Sequence, residues 1–153
     1  MDLSTIRERI LATPLVKKLP DPMHQRFAQA LLWISETKEV ARTQNLIEQG
    51  EKHSDQGVLI LEGMVRVKTE DGVSKTIEAP DVLGEIQLFT PGRARTATVE
   101  VVVGGQILAF AWTALATECR SVFNDEEMRT LKEAIYSSAW TREKGLFDKL
   151  AKK

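Results

Sequence analysis

The chain has 153 residues, 42% hydrophobic and 28% charged, the make-up of one soluble globular domain whose core needs neither disulfides nor metal. Its formal net charge of -1 supplies no field to gather nucleic acid or anionic lipid, so any anion site has to be local. The single cysteine, Cys119, excludes an internal disulfide and a thiolate metal cage, and fits a reducing compartment in which it is an inert core or helix thiol.

Met1-Asp2-Leu3-Ser4 lacks the basic flank and apolar run of a signal peptide, and no stretch of about 18 apolar residues follows. A cytoplasmic chain without a membrane span is expected. Thr5 and Glu8 have capping-box spacing, and Ile6, Ile10 and Leu11 share a helix face until Thr13-Pro14 interrupts it. Asp21 as N-cap and Pro22 at the first helical position open a second helix, with Met23, Phe27, Ala30, Leu31 and Ile34 on its buried stripe and His24 off it, in solvent. Residues 1–39 are thus predicted as N-terminal helices.

From Val40 to Trp112 short strands are predicted between the turns Gln49-Gly50, Glu62-Gly63, Asp71-Gly72 and Gly104-Gly105, where glycine tolerates positive φ. Val58 to Leu61 is apolar, Val65 and Val67 alternate with Arg66 and Lys68, Val99 to Val103 is strongly β-prone, and Ile107 to Trp112 closes the series. This is the spacing of a small antiparallel sandwich or barrel over 40–112. Helix returns over 113–153, with Asn124 and Glu127 as cap partners and Met128, Leu131, Ile135, Ala139 and Trp140 at helical intervals. Ser138 and Arg142 break any coiled-coil seam. The order is helices, strands, helices, in a single domain over 1–153.

One stretch, Leu83 to Val99, does not read as a hairpin loop. Gly84 followed by a short apolar helical turn presents the unpaired backbone N–H groups of Ile86 and Gln87, and such a helix start favours an anion. Arg95 offers a planar fork suited to phosphate. Glu85 makes sense beside an anion only if the ligand also carries a sugar, whose hydroxyl its carboxylate accepts from. Taken alone, Glu85 would be a surface carboxylate in a turn. Together these groups describe a nucleotide whose phosphate lies close to its ribose.

Gly84-Glu85-Ile86 and Arg95-Thr96-Ala97-Thr98-Val99 resemble the phosphate-binding cassette, here residues 83–99, of the cyclic nucleotide-binding domain family, of the catabolite activator protein and protein kinase A regulatory subunit type. Gly50-Glu51, Asp55 and Leu59 to Val67 resemble the family's glycine-punctuated strands, and the likeness runs roughly from Leu19 to Leu150. The resemblance implies an α+β fold: an antiparallel β-barrel of the jelly-roll, cupin-like double-stranded β-helix type, flanked by N-terminal and C-terminal helices. It implies that Glu85 binds the ribose 2′-hydroxyl, that Arg95 pairs with the cyclic phosphate, and that the amides of Ile86 and Gln87 complete the cradle. Thr96 would lie near both phosphate and purine, and Gly84 and Ala97 complete the ligand-binding set. The spacing from Glu85 to Arg95, with Gly92 between, resembles the bacterial branch. Arg93 stands too close to Glu85 for the phosphate role.

The sequence departs from the family at Gln87, where glycine or alanine is usual, and about 70 residues would be needed after the hinge for a winged helix. No direct DNA binding is therefore expected. Tyr136 and Trp140, with Phe147, stand either as an aromatic lid over the purine or as core and dimer contacts. Only two histidines, His24 and His53, exist, too few for a cupin metal set or a convincing catalytic triad, and no P-loop or dinucleotide motif occurs. The expectation is a non-enzyme with no metal and no cofactor. Its ligand is cAMP or cGMP, occupancy is coupled to the position of the C-terminal helix, and the readout is an unidentified protein effector or a homodimer. The alternative is a degenerate cyclic nucleotide-binding fold acting as a protein-interaction or dimerisation module without ligand.

Overall fold

A computed structural model describes residues 1–48, 50, 55–68, 72, 74–84 and 97–151, with side chains to residue 138. The first helix, α1, spans Leu3–Leu11 and is capped by Asp2, whose carboxylate accepts from the Thr5 N–H at 2.8 Å. The cap is therefore Asp2 rather than Thr5; a carboxylate there also meets the positive end of the helix dipole. Ile6 and Ile10 are buried as expected. Thr13 ends α1 and starts α2 (Pro14–Lys17): its buried hydroxyl donates to the Ile10 carbonyl at 2.7 Å and accepts from the Val16 N–H at 3.5 Å. α3 spans Asp21–Ile34, with Pro20 in the cap position and Asp21 already in the first turn, and it buries Met23, Phe27, Ala30 and Leu31. His24 is not simply solvated. It is partly buried with Nε2 2.7 Å from the Leu19 carbonyl, which only accepts, so Nε2 carries the hydrogen.

Among the described residues eight strands follow: β1 Glu36–Val40, β2 Asn45–Ile47, β3 Gln56–Ile60, β4 Met64–Lys68, β5 Ser74–Glu78, β6 Asp81–Leu83, β7 Thr98–Val103 and β8 Gly105–Ala111. They form two antiparallel four-stranded sheets in the orders β1-β8-β3-β6 and β2-β7-β4-β5. Strand structure thus begins at Glu36, inside the stretch read as helical. The reason is that β1 is an edge strand with four exposed residues, Glu36 to Glu39, so it carries charges in place of an apolar alternation. Trp112 does not close β8 but opens α4 (Trp112–Val122). The last helix, α5, spans Asp125–Ala151.

Two cores result. Val58, Ile60, Leu83 and Ile107 of the first sheet face Ile47, Val65, Val67, Ile77, Val99 and Val101 of the second. The other face of the first sheet, with Leu59, Leu61, Val82, Leu108 and Phe110, packs on the helices. β3 is buried on both faces, which is why Val58 to Leu61 is an unbroken apolar run; β4 keeps Arg66 in solvent and alternates. Gly50, Gly63 and Gly72 have positive φ as the turns require. Gly104 and Gly105 do not; there glycine serves close approach, since a Cβ on Gly105 would lie 2.6 Å from the Glu62 carbonyl oxygen.

Candidate functional site

The stretch singled out in the sequence leaves the first sheet and returns in the second. Its first anchor is Leu83, 2% exposed at the end of β6 and paired with Val58 of β3. Gly84 follows with φ of 95°, a left-handed conformation that glycine adopts without strain and that turns the chain out of the edge strand. The second anchor is Ala97, 8% exposed, leading into β7, where Val99 pairs with both Ile47 and Val67. Leu83 and Ala97 belong to one apolar cluster between the sheets. Of the predicted site residues, Gly84 and Ala97 are thus placed, each beside a strand of a single core. Glu85, Ile86, Gln87, Arg95 and Thr96 lie outside the described residues.

The predicted lid is placed only in part. Tyr136 is 53% exposed on α5, next to the buried Ala134 and Ile135, while the side chains of Trp140 and Phe147 lie outside the described residues. Further along, Lys18 donates to the Ser137 hydroxyl at 3.5 Å, and Ser138 lines a cleft with Lys75, Ile77 and Asp81. The middle of α5 therefore passes over α2 and the connection from β5 to β6, the strand that carries Leu83 to the site.

The start of α5 is held by three interactions. Asn124 and Glu127 form a reciprocal capping box, at 2.8 Å and 3.1 Å, as their spacing predicts. Arg26 of α3 donates to both oxygens of Glu127 at 3.2 Å and 2.5 Å and to the Val122 carbonyl at 3.0 Å. Its guanidinium also lies 5.0 Å from the Phe123 ring centre, a cation–π distance. The hydrogen bond from Arg26, followed by that from the Asn124 backbone, holds the Glu127 carboxyl below its usual range.

Sequence reasoning missed Asp55, noticed only as part of a motif. Its carboxylate accepts from the Thr113 N–H at 3.3 Å and from the Thr113 hydroxyl, and its backbone carbonyl accepts from the Trp112 N–H at 2.9 Å. Asp55 thus caps α4 from the start of β3. Ala111, which precedes α4, has no side chain that can cap it, and Asp55 supplies the cap from elsewhere in the chain. Cys119 is fully buried in α4, and burial pushes its thiol up to about 12, as an inert thiol requires. Among the described residues no group of three or more His, Cys, Asp or Glu is placed to hold a metal, and no helix is long and apolar enough to cross a membrane.

No protein-family model and no curated protein matches the sequence. Solved structures match the fold. The sensor domain of the transcriptional regulator DNR from Pseudomonas aeruginosa is similar with a TM-score of 0.65 at 18% identity, over 89% of this chain and 91% of that one. The catabolite activator protein of Thermus thermophilus is similar with a TM-score of 0.65 at 19% identity over 91% of this chain, which spans 63% of that protein's length. The domain CBD2 of PKAR, bound to Sp-2Cl-cAMPS, is similar with a TM-score of 0.71 at 14% identity, over 97% of this chain and 93% of that one.

Proposed function

We propose, from the premise that this chain has the cyclic nucleotide-binding domain fold, that it is a regulatory module whose ligand is cAMP or cGMP. The observation that carries this reading is that the segment 83–99, with its cassette motif, is rooted at both ends in the core between the sheets. In this reading the two sheets close into the jelly-roll, cupin-like barrel of a single domain over 1–153. Glu85 accepts from the ribose 2′-hydroxyl, Arg95 pairs with the cyclic phosphate, the amides of Ile86 and Gln87 complete the cradle, and Thr96 reaches phosphate and purine. The module is a non-enzyme acting in the cytoplasm on a protein effector or through a homodimer.

Ligand would move α5 only through a difference in affinity between two positions of that helix. Tyr136 and Trp140 are the α5 residues through which the purine would favour one position. The test is isothermal titration of the nucleotide-free chain with cAMP and with cGMP. Micromolar binding to one of them is expected, and Arg95→Ala should weaken it by about 2–5 kcal/mol, roughly thirty- to several-thousand-fold, the usual cost of removing one member of a buried charge pair. Gln87 supports a second reading, a degenerate fold that only associates with proteins; no heat and no thermal stabilisation by either nucleotide at millimolar concentration would select it.

A further inference from the structure

We propose that the groove between α4 and α5 is a second binding site, for a free medium-chain acyl carboxylate. The proposal goes beyond the nucleotide reading and stands without it. The groove measures about 340 Å³, within the roughly 300–1,000 Å³ of small-molecule sites. Buried Trp112, Leu115 and Ile135 contribute its apolar floor. Exposed Arg120, Arg129 and Lys132 also line it, and no carboxylate does. Among the described residues, no ion pair or hydrogen bond engages the side chains of these three cations.

Two demands meet in this groove. Its floor favours hydrocarbon, because apolar surface leaves water there. Its rim favours an anion, and two of the three cations are arginines, whose fork matches a carboxylate. A neutral hydrocarbon would leave the rim unanswered, and an inorganic anion would leave the floor wet. One chain with an anionic head satisfies both. A protein partner is the weaker fit, since stable interfaces bury about 1,200–2,000 Å², whereas this cleft is bounded by two helices joined through Phe123 and Asn124 alone.

The test titrates the full chain, free of nucleotide, with dodecanoate below its micellar concentration, by calorimetry and by amide chemical shifts. Micromolar binding is expected, with shifts confined to α4 and the first half of α5. The double variant Arg129→Gln, Lys132→Gln, with an unchanged unfolding temperature, should bind at least tenfold more weakly, and dodecyltrimethylammonium should not bind at the same concentration. The proposal is overturned by absence of binding, by equal affinity for the cationic analogue, or by an unaffected double variant. It is also overturned if sedimentation shows a concentration-dependent dimer that the double variant abolishes, which would assign the groove to a second copy. Titration with cAMP is a separate measurement, so this proposal and the nucleotide reading fail independently.

Discussion

Thr43, in the turn between β1 and β2, is the only non-glycine with positive φ among the described residues, at 76°. Two backbone bonds hold it there, from the Thr43 N–H to the Val101 carbonyl at 2.9 Å and from the Val101 N–H to the Gln44 carbonyl at 2.8 Å. A β-branched residue in that region costs on the order of 1–3 kcal/mol. Thr43→Gly should relieve this by more than it adds to the entropy of the unfolded chain, for a net gain of about 1 kcal/mol. The denaturant midpoint reads it; a lower midpoint would mean that the threonine side chain is worth more than the strain. Asp55 illustrates the opposite sign. Asp55→Ala should cost about 1 kcal/mol, the usual loss of a helix cap, while Asp55→Asn should retain most of it. Equal unfolding temperatures for wild type and Asp55→Ala would remove that residue from the cap of α4.

At the scale of elements, α3, α4 and α5 meet at Arg26 and Glu127. The folded state holds the Glu127 carboxyl below its ordinary range, so the clamp contributes fully above the unfolded glutamate value of about 4.3 and is lost as pH falls through the lower folded value. The stability gap between wild type and Glu127→Gln should therefore be open at neutral pH and narrow in acid. A gap independent of pH would show that the carboxylate charge is not what the junction uses. In α4, the thiol at about 12 predicts that Cys119 resists alkylation at pH 8 until the chain unfolds; rapid labelling of the native chain would contradict its burial. Which elements the sequence revealed follows from their surroundings. The stripe of α3, the run in β3 and the alternation in β4 each face a core on one or both sides, so burial wrote a period into them. β1 is an exposed edge, and β2 and β6 are three residues each, too short to show a period. The capping box at Asn124 and Glu127 is local and was legible, whereas Asp55 and Thr113 are 58 positions apart, and no local spacing could join them.

For the whole molecule, the candidate site could be nominated from the sequence because its motif lies in one continuous stretch, with glycine, carboxylate and arginine at fixed distances. What the sequence does not contain is the frame: Leu83 and Ala97 are ordinary apolar residues, and only the pairing of β6 with β3 and of β7 with β2 and β4 shows that they share one core. The groove between α4 and α5 was equally hidden, since Arg120 lies on one helix and Arg129 and Lys132 on the other, and only the packing of the two brings them to one rim. The proportions of α5 matter in another way. It has 27 residues, about 40 Å at 1.5 Å per residue, and among the described side chains of its first half Leu131, Ala134 and Ile135 are buried. A rotation of about 10° at Asn124 would sweep the far end of such a rod through roughly 7 Å. A shift too small to be conspicuous at the junction would become, at Ala151, a displacement larger than the width of a side chain.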